Sequence, residues 1–300
     1  MSPDIAHRQV HANGVDFHVA ISGPEGAPPI LCLHGFPEGW ISWRAVMGGL
    51  TEARIYAPDL PGYPGSSQPR DGYDVMSLTD DIRALIEVLG VEKPMLVGHD
   101  WGGELGWIFA HRFSDLISRL VVINGTHPAT LVRAMLHNDD FQAMRVPFVL
   151  FFQIPWFPEW FMTTAAGRRL LRFSFLVREG TRGTMDRALV DEIISHFEEP
   201  GDIRGPVTYY RQFFRTLLVP RRRRQLNAVY ATPVTVPSTM VWGLKDWILP
   251  AKVAQKSEGD AGCPVEWRPL PGIGHFVDLE APGRLVEELR RLITSPAGPA

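Results

Sequence analysis

Cysteine is almost absent: Cys32 and Cys263 are the only two in 300 residues. Two thiols cannot make a disulfide framework, so the core must hold the chain together, and a reducing cytoplasm is the expected setting. An excess of one charge is also missing. The net charge is −3, which gives no electrostatic basis for gripping nucleic acid. The one basic run, Arg221–Arg224, is read as a solvated helix face. No clean apolar run approaches the roughly 20 residues of a membrane span. The greasiest stretch, VPFVLFFQIPWFPEWFM at 146–162, is interrupted by Pro147, Pro155 and Pro158 and contains Gln153 and Glu159. Interior prolines remove helix hydrogen bonds, so this segment is expected to be buried against an apolar pocket. The opening MSPDIAHRQVHANG has no apolar stretch of signal-peptide kind. Metal and phosphate motifs are missing too: there is no HExxH, no paired CxxC and no P-loop, so neither metal nor cofactor is expected. His7 and His11 have helical spacing but fall in an expected strand region.

What remains is the composition of an ordinary globular chain with a sizeable core, 45% hydrophobic and 21% charged. Short apolar runs recur, each closed by turn residues: PILCLHG, ARIYAPD, KPMLVGHD, SRLVVING, STMVWGLKD and VEWRPLPG. Such runs suit buried parallel strands. Helical stretches lie between them. In SLTDDIRALIEVLG (77–90), Leu78, Ile82, Leu85, Ile86 and Leu89 form one stripe and Gly90 is a stop signal. Strand–helix alternation predicts an α/β fold with a mostly parallel central sheet and helices on both faces. Residues 8–22 read as an antiparallel hairpin turning at Asn13-Gly14. The alternation stops near residue 130 and resumes near 232. The expected organisation is a core of 1–130 and 232–300 with an inserted helical cap at 131–231, lying over the sheet edge where open α/β sheets bind ligands.

LVGHDWGG at 96–103 carries the chemistry. Its spacing, G-x-Asp-x-G, is that of a nucleophile elbow with Asp100 in the nucleophile's place. An isolated aspartate before a helix is ordinarily an N-cap; here partners downstream make more of it. A nucleophile of this kind needs a base, and the base needs an orienting acid. Asp246 follows an apolar strand in GLKDWILP, and His275 lies in the glycine-rich PGIGHFVD. The order nucleophile, acid, histidine is that of α/β-hydrolases. Asp278 and Glu280 compete for the acid's role but read better as N-terminal charges of the last helix. In CLHGFPEGWISWR, the turn His34-Gly35-Phe36-Pro37 brings the Phe36 N–H beside the elbow. With the Trp101 N–H it would form an oxyanion hole. Phe36–Pro37 is a candidate cis bond.

Together these residues resemble the epoxide hydrolases of the α/β-hydrolase superfamily. The matching segments are HGFPE (34–38), DLPGYPGSS (59–67), VGHDWGG (97–103), FFQIPWFPE (151–159), YYR (209–211), LKD (244–246) and GH (274–275). They run in the family's order across most of the chain. Pro64 departs from the family's usual glycine in a surface turn. The resemblance implies a nucleophilic Asp100, a water-activating His275 oriented by Asp246, and cap tyrosines that hydrogen-bond the epoxide oxygen. One of these matches Tyr210; the other falls on Phe148, which has no hydroxyl. The expected pocket includes His34, Pro37, Trp101, Phe148 and Phe152.

A carboxylate nucleophile suits displacement at saturated carbon, since the resulting ester can then be cleaved by water. The expected partners are a small hydrophobic epoxide and water, with no nucleic acid, no membrane span, and a homodimer left open. Two rivals share the scaffold. Dehalogenases use the same aspartate, and the Trp101 indole could cradle a halide. However, Phe36 stands where haloalkane dehalogenases usually carry a polar amide or a second indole. Trp101 and Glu104 stand where fluoroacetate dehalogenases clamp a carboxylate with arginines; a glutamate there would repel it. The other rival is a non-catalytic ligand-binding protein on a hydrolase fold, against which the intact triad argues.

Overall fold

The computed structural model describes residues 4–145 and 147–294; Val146, the first residue of the greasy segment, lies outside them. Among the described residues eight strands form one sheet: β1 (Ala6–Ala12), β2 (Val15–Ser22), β3 (Pro29–Leu33), β4 (Arg54–Pro58), β5 (Met95–His99), β6 (Arg119–Ile123), β7 (Ser238–Gly243) and β8 (Val265–Leu270). The order across the sheet is β1-β2-β4-β3-β5-β6-β7-β8. β1 pairs antiparallel with β2, and β2 with β4; every other pairing is parallel. All six apolar runs read from the sequence are strands. The central ones, β5 and β6, are buried along their whole length, which is why they read as continuous apolar runs rather than alternating ones. Asn13 and Gly14 both take positive φ at the opening hairpin, 50° and 80°, as a type I′ turn requires.

The stripe of Leu78, Ile82, Leu85 and Ile86 is buried on a helix that spans Val75–Leu89. It begins two residues earlier than the sequence suggested, because the Asp74 carboxylate accepts the Met76 and Ser77 N–H groups as an N-cap. Gly90 closes it at φ 65°. Between β6 and β7 the described residues are helices and turns only, from Pro128–His137 to Pro220–Tyr230. The proline-broken greasy segment becomes two short helices, Phe148–Phe151 and Phe157–Thr163. Among the described residues no helix is long and apolar enough to cross a membrane. Arg221–Arg224 are exposed on their helix, as a solvated face should be.

Because β3 lies between β4 and β5, the chain leaves it in opposite directions on its two sides. A crevice opens at such a switch point, beyond the carboxyl ends of the strands. The turns after β3, β5, β6, β7 and β8 all emerge at that end, side by side.

Candidate active site

Asp100 follows β5 and precedes the helix Trp101–Phe113. Its backbone sits at φ 47°, ψ −115°, a conformation that costs free energy for a side-chain-bearing residue and tends to occur at functional sites. Glycines make the turn possible. A Cβ on Gly98 would run into the Gly102 carbonyl, and one on Gly102 into the Leu33 carbonyl. The Asp100 side chain caps nothing on its own helix. Instead its Oδ1 accepts the Phe36 N–H at 3.0 Å, and its Oδ2 lies 3.5 Å from His275 Nε2.

The turn after β3 is built to aim that N–H. Glu38 Oε2 accepts the Gly35 N–H at 2.7 Å, which leaves the next N–H, that of Phe36, pointing at Asp100. The Phe36–Pro37 peptide is cis. The N–H of Trp101 opens its helix and so has no partner within it.

His275 Nδ1 meets Asp246 Oδ2 at 2.8 Å. Asp246 is fixed from all sides: Oδ2 also accepts Asn124 Nδ2 at 2.6 Å, and Oδ1 accepts the Ile248 and Leu249 N–H groups at 2.7 and 3.0 Å. Asn124, at the end of β6, in turn accepts the Gly243 N–H. Burial alone would lower the His275 pKa, but Asp246 and Asp100 together raise it to about 9. Burial likewise works against an ionised Asp100, and the neighbouring His275, His99 and Phe36 N–H more than offset it, holding its pKa below the ordinary value. The resting pair is therefore a carboxylate beside an imidazolium.

Behind the elbow, His99 reaches Glu38 Oε2 at 3.1 Å and the His275 carbonyl at 3.0 Å. Burial disfavours its charge, but Glu38 and Asp278 raise its pKa well above the usual range. Asp278 is thus buried beside His99 and is not a charge at the start of the last helix. Glu280 is likewise not one: its Oε2 accepts the Gly274 and Gly180 N–H groups at 2.9 and 2.8 Å, fixing the loop that carries His275. The structure thus corrects the sequence reading of both acids. His99, Asn124 and Glu280 had no motif signal beyond their places next to the nucleophile, after a strand and after the histidine.

Two chambers that share wall residues lie over Asp100. The larger, about 480 Å³, is bordered by Asp100, His275, Phe36, Phe148, Phe152 and Tyr210 among others. The smaller, about 60 Å³, shares Asp100, Phe148 and Tyr210 and adds Trp101 and Glu104. Tyr210 sits in an aromatic box, its ring centroid 4.9 Å from Phe152, 5.0 Å from Trp101, 5.3 Å from Phe36 and 5.7 Å from Phe148. Burial, then the Asp100 charge, push its phenol pKa well above the ordinary value. Its neighbour Tyr209 points the other way and donates to the Pro61 carbonyl at 2.8 Å. Arg211, the third residue of YYR, ties the helix Pro200–Leu218 to the FFQIPWFPE segment through the Phe152 and Ile154 carbonyls and Glu159.

Two expected pocket residues are not among those lining either chamber: His34 and Pro37. His34 is fully buried. Its Nδ1 donates to the Gly35 carbonyl at 2.9 Å and its Nε2 accepts the Leu60 N–H at 3.0 Å, so it braces the turn. Glu104 also needs correction. Burial, reinforced by Asp100, raises its pKa well above the ordinary carboxylate value, which weakens the case that its charge repels an anion.

A family model described as alpha/beta hydrolase fold matches residues 28–282. Mouse (Mus musculus) epoxide hydrolase 4 is 34% identical over 82% of this chain and 67% of its own. Among solved structures, Cfl2 from Burkholderia cenocepacia is similar with a TM-score of 0.84 and 28% identity over 96% of each chain. Epoxide hydrolase VrEH1 from Vigna radiata matches with a TM-score of 0.79 and 26% identity, over 97% of this chain and 98% of its own. With the parallel sheet, the elbow and these likenesses in place, the chain belongs to the α/β-hydrolase fold family and groups there with the epoxide hydrolases.

Proposed function

We propose that this chain hydrolyses a small apolar epoxide to a vicinal diol through an ester on Asp100. What supports the reading most is the Asp100 carboxylate beside His275 in one chamber with the Tyr210 phenol. Asp100 Oδ2 attacks the less hindered ring carbon. The C–O ring bond breaks, its electron pair moves to the oxygen, and Tyr210 supplies a proton there. As Asp100 becomes a neutral ester, its charge no longer raises the pKa of either Tyr210 or His275. The phenol becomes a better acid as its proton is needed, and the imidazolium becomes easier to deprotonate.

The imidazolium passes its proton by way of water to the phenolate that Tyr210 has become. Once neutral, His275 takes a proton from the attacking water, and the resulting hydroxide adds to the ester carbonyl. The Phe36 and Trp101 N–H groups receive the oxyanion. Collapse releases the diol and restores the Asp100 carboxylate. Asp246 holds the imidazole in the tautomer with Nδ1–H and stabilises its charged form. The helical segment at 131–231 acts as a cap, contributing Phe148, Phe152 and Tyr210 over the elbow.

The test offers styrene-type, aliphatic and fatty-acid epoxides beside haloalkanes and fluoroacetate, scoring diol and halide release. Diol from at least one epoxide class is the expected result. Halide release without any diol would replace this reading with a dehalogenase.

A further inference from the structure

Two arginines border the larger chamber, Arg145 and Arg178, and their situations differ. The Arg145 guanidinium is occupied: Nε donates to the Asp140 carbonyl at 3.0 Å and a terminal nitrogen to the Trp247 carbonyl at 2.7 Å. The Arg178 guanidinium has no hydrogen-bond or ion-pair acceptor among the described residues. Its central carbon lies over the Phe148 ring, 5.6 Å from the centroid. Phe148 in turn abuts Tyr210, at 5.7 Å between ring centroids. Arg178 is half-buried, and a guanidinium drawn out of water without an acceptor is costly; here that group borders the chamber of the nucleophile.

Its place is fixed by backbone. Arg178 directly follows the helix Ala165–Val177, and its carbonyl accepts the His275 N–H at 3.3 Å. Two residues on, Gly180 packs so closely on residues 272–274 that a Cβ there would overlap their backbone. The segment bearing this cation is thereby keyed to the loop bearing the base.

Ring opening places a full negative charge on the departing oxygen. Among the chamber's side chains, hydroxyl and guanidinium donors are few. Ser174 Oγ is committed to the Leu171 carbonyl at 2.7 Å, and Arg145 is committed as above. Tyr210 and Arg178 remain. We propose that Arg178 is a second donor to the departing oxygen, holding the alkoxide by charge-assisted hydrogen bonds while Tyr210 transfers the proton. Arg178 gives up no proton itself. The electron pair of the broken C–O bond goes to the oxygen, the Tyr210 proton neutralises it, and the phenolate left behind is reprotonated from water. Arg178 also stabilises that phenolate, since its charge favours the ionised form of Tyr210.

This inference rests on the ester mechanism above, so the experiment separates the two. Single-turnover alkylation and ester hydrolysis are measured in the wild type, Arg178→Met, Arg178→Lys, Phe148→Tyr and Phe148→Tyr/Arg178→Met. Absence of a protein ester in the wild type overturns the mechanism and the inference with it. Given a wild-type ester, Arg178→Met should alkylate about ten- to a hundredfold more slowly, the range for losing a hydrogen bond to a charged group. Its ester hydrolysis should stay within about threefold of normal. Arg178→Lys should recover part of the rate by keeping the charge, and it also carries the test if the methionine variant folds poorly. In the double variant, the added Phe148→Tyr hydroxyl should restore alkylation by more than it speeds the wild type. Alkylation of Arg178→Met within about threefold of normal, or an equal fall in both steps, would overturn the proposal. So would a Phe148→Tyr gain independent of residue 178.

Discussion

Replacing Tyr210 with phenylalanine removes one oxygen atom from an aromatic box and leaves its shape intact. The ring keeps its neighbours Phe36, Trp101, Phe148 and Phe152 at 4.9–5.7 Å, so the fold should not suffer. The chemistry should. In the reading proposed above the phenol is the proton donor to the departing oxygen, and no other hydroxyl among the described chamber residues stands in for it. Ser174 is committed to a carbonyl, Phe148 has no hydroxyl, and a guanidinium does not release its proton. General acid catalysis is worth about 10²–10⁴-fold, which at about 1.4 kcal/mol per decade is roughly 3–5.5 kcal/mol of barrier. With no second hydroxyl to take over, Tyr210→Phe should fall in the upper half of that range. The assay is rapid-quench alkylation, with intact-protein mass giving the adduct fraction over time. Hydrolysis of ester already formed should change far less. Alkylation within about threefold of wild type would refute the assignment, because the alkoxide would then be protonated from elsewhere.

In the free protein His275 titrates near 9 because two carboxylates outweigh its burial. Esterification of Asp100 removes one of them, so the hydrolysis step should rise with pH through a midpoint below about 9; a midpoint at or above that value contradicts the account. Asp246→Asn should slow ester hydrolysis by about 10²–10⁴-fold while adduct still forms, read as ester accumulating under turnover; unchanged steady-state turnover would remove Asp246 from its role. Tyr209→Phe should leave alkylation unchanged but cost about 1–3 kcal/mol in a denaturant titration, since the buried Pro61 carbonyl loses its donor. A catalytic defect without that loss would contradict its placement in the core.

The sheet was legible because each strand carries its own signal: an apolar run of about five residues ended by turn chemistry. The elbow was legible for a similar reason, since glycine spacing reports a backbone conformation. Asp246 and His275 could be read because each follows a strand in the order such enzymes use. What escaped was decided by long-range packing. Nothing local distinguishes Asp278 and Glu280 as buried groups from first-turn helix charges; contacts with His99 and with the Gly180 and Gly274 N–H groups, far apart in sequence, settle it. His34 was expected in the pocket with the rest of the turn His34-Gly35-Phe36-Pro37, yet its ring turns inward to the Leu60 N–H. Arg178 was invisible, as one of many arginines in a helical stretch; only the chamber wall gives it meaning.

The covalent ester on Asp100 is most directly tested by a single turnover in heavy-oxygen water with enzyme in excess over an epoxide substrate. If the incoming hydroxide adds to the ester carbonyl, the first diol carries the ordinary oxygen that Asp100 brought to the reaction. The heavy oxygen should then be found in the Asp100 carboxylate, in the peptide containing LVGHDWGG. Heavy oxygen in the first-turnover diol, with that peptide unlabelled, would mean that water opens the ring directly and that Asp100 is not the nucleophile.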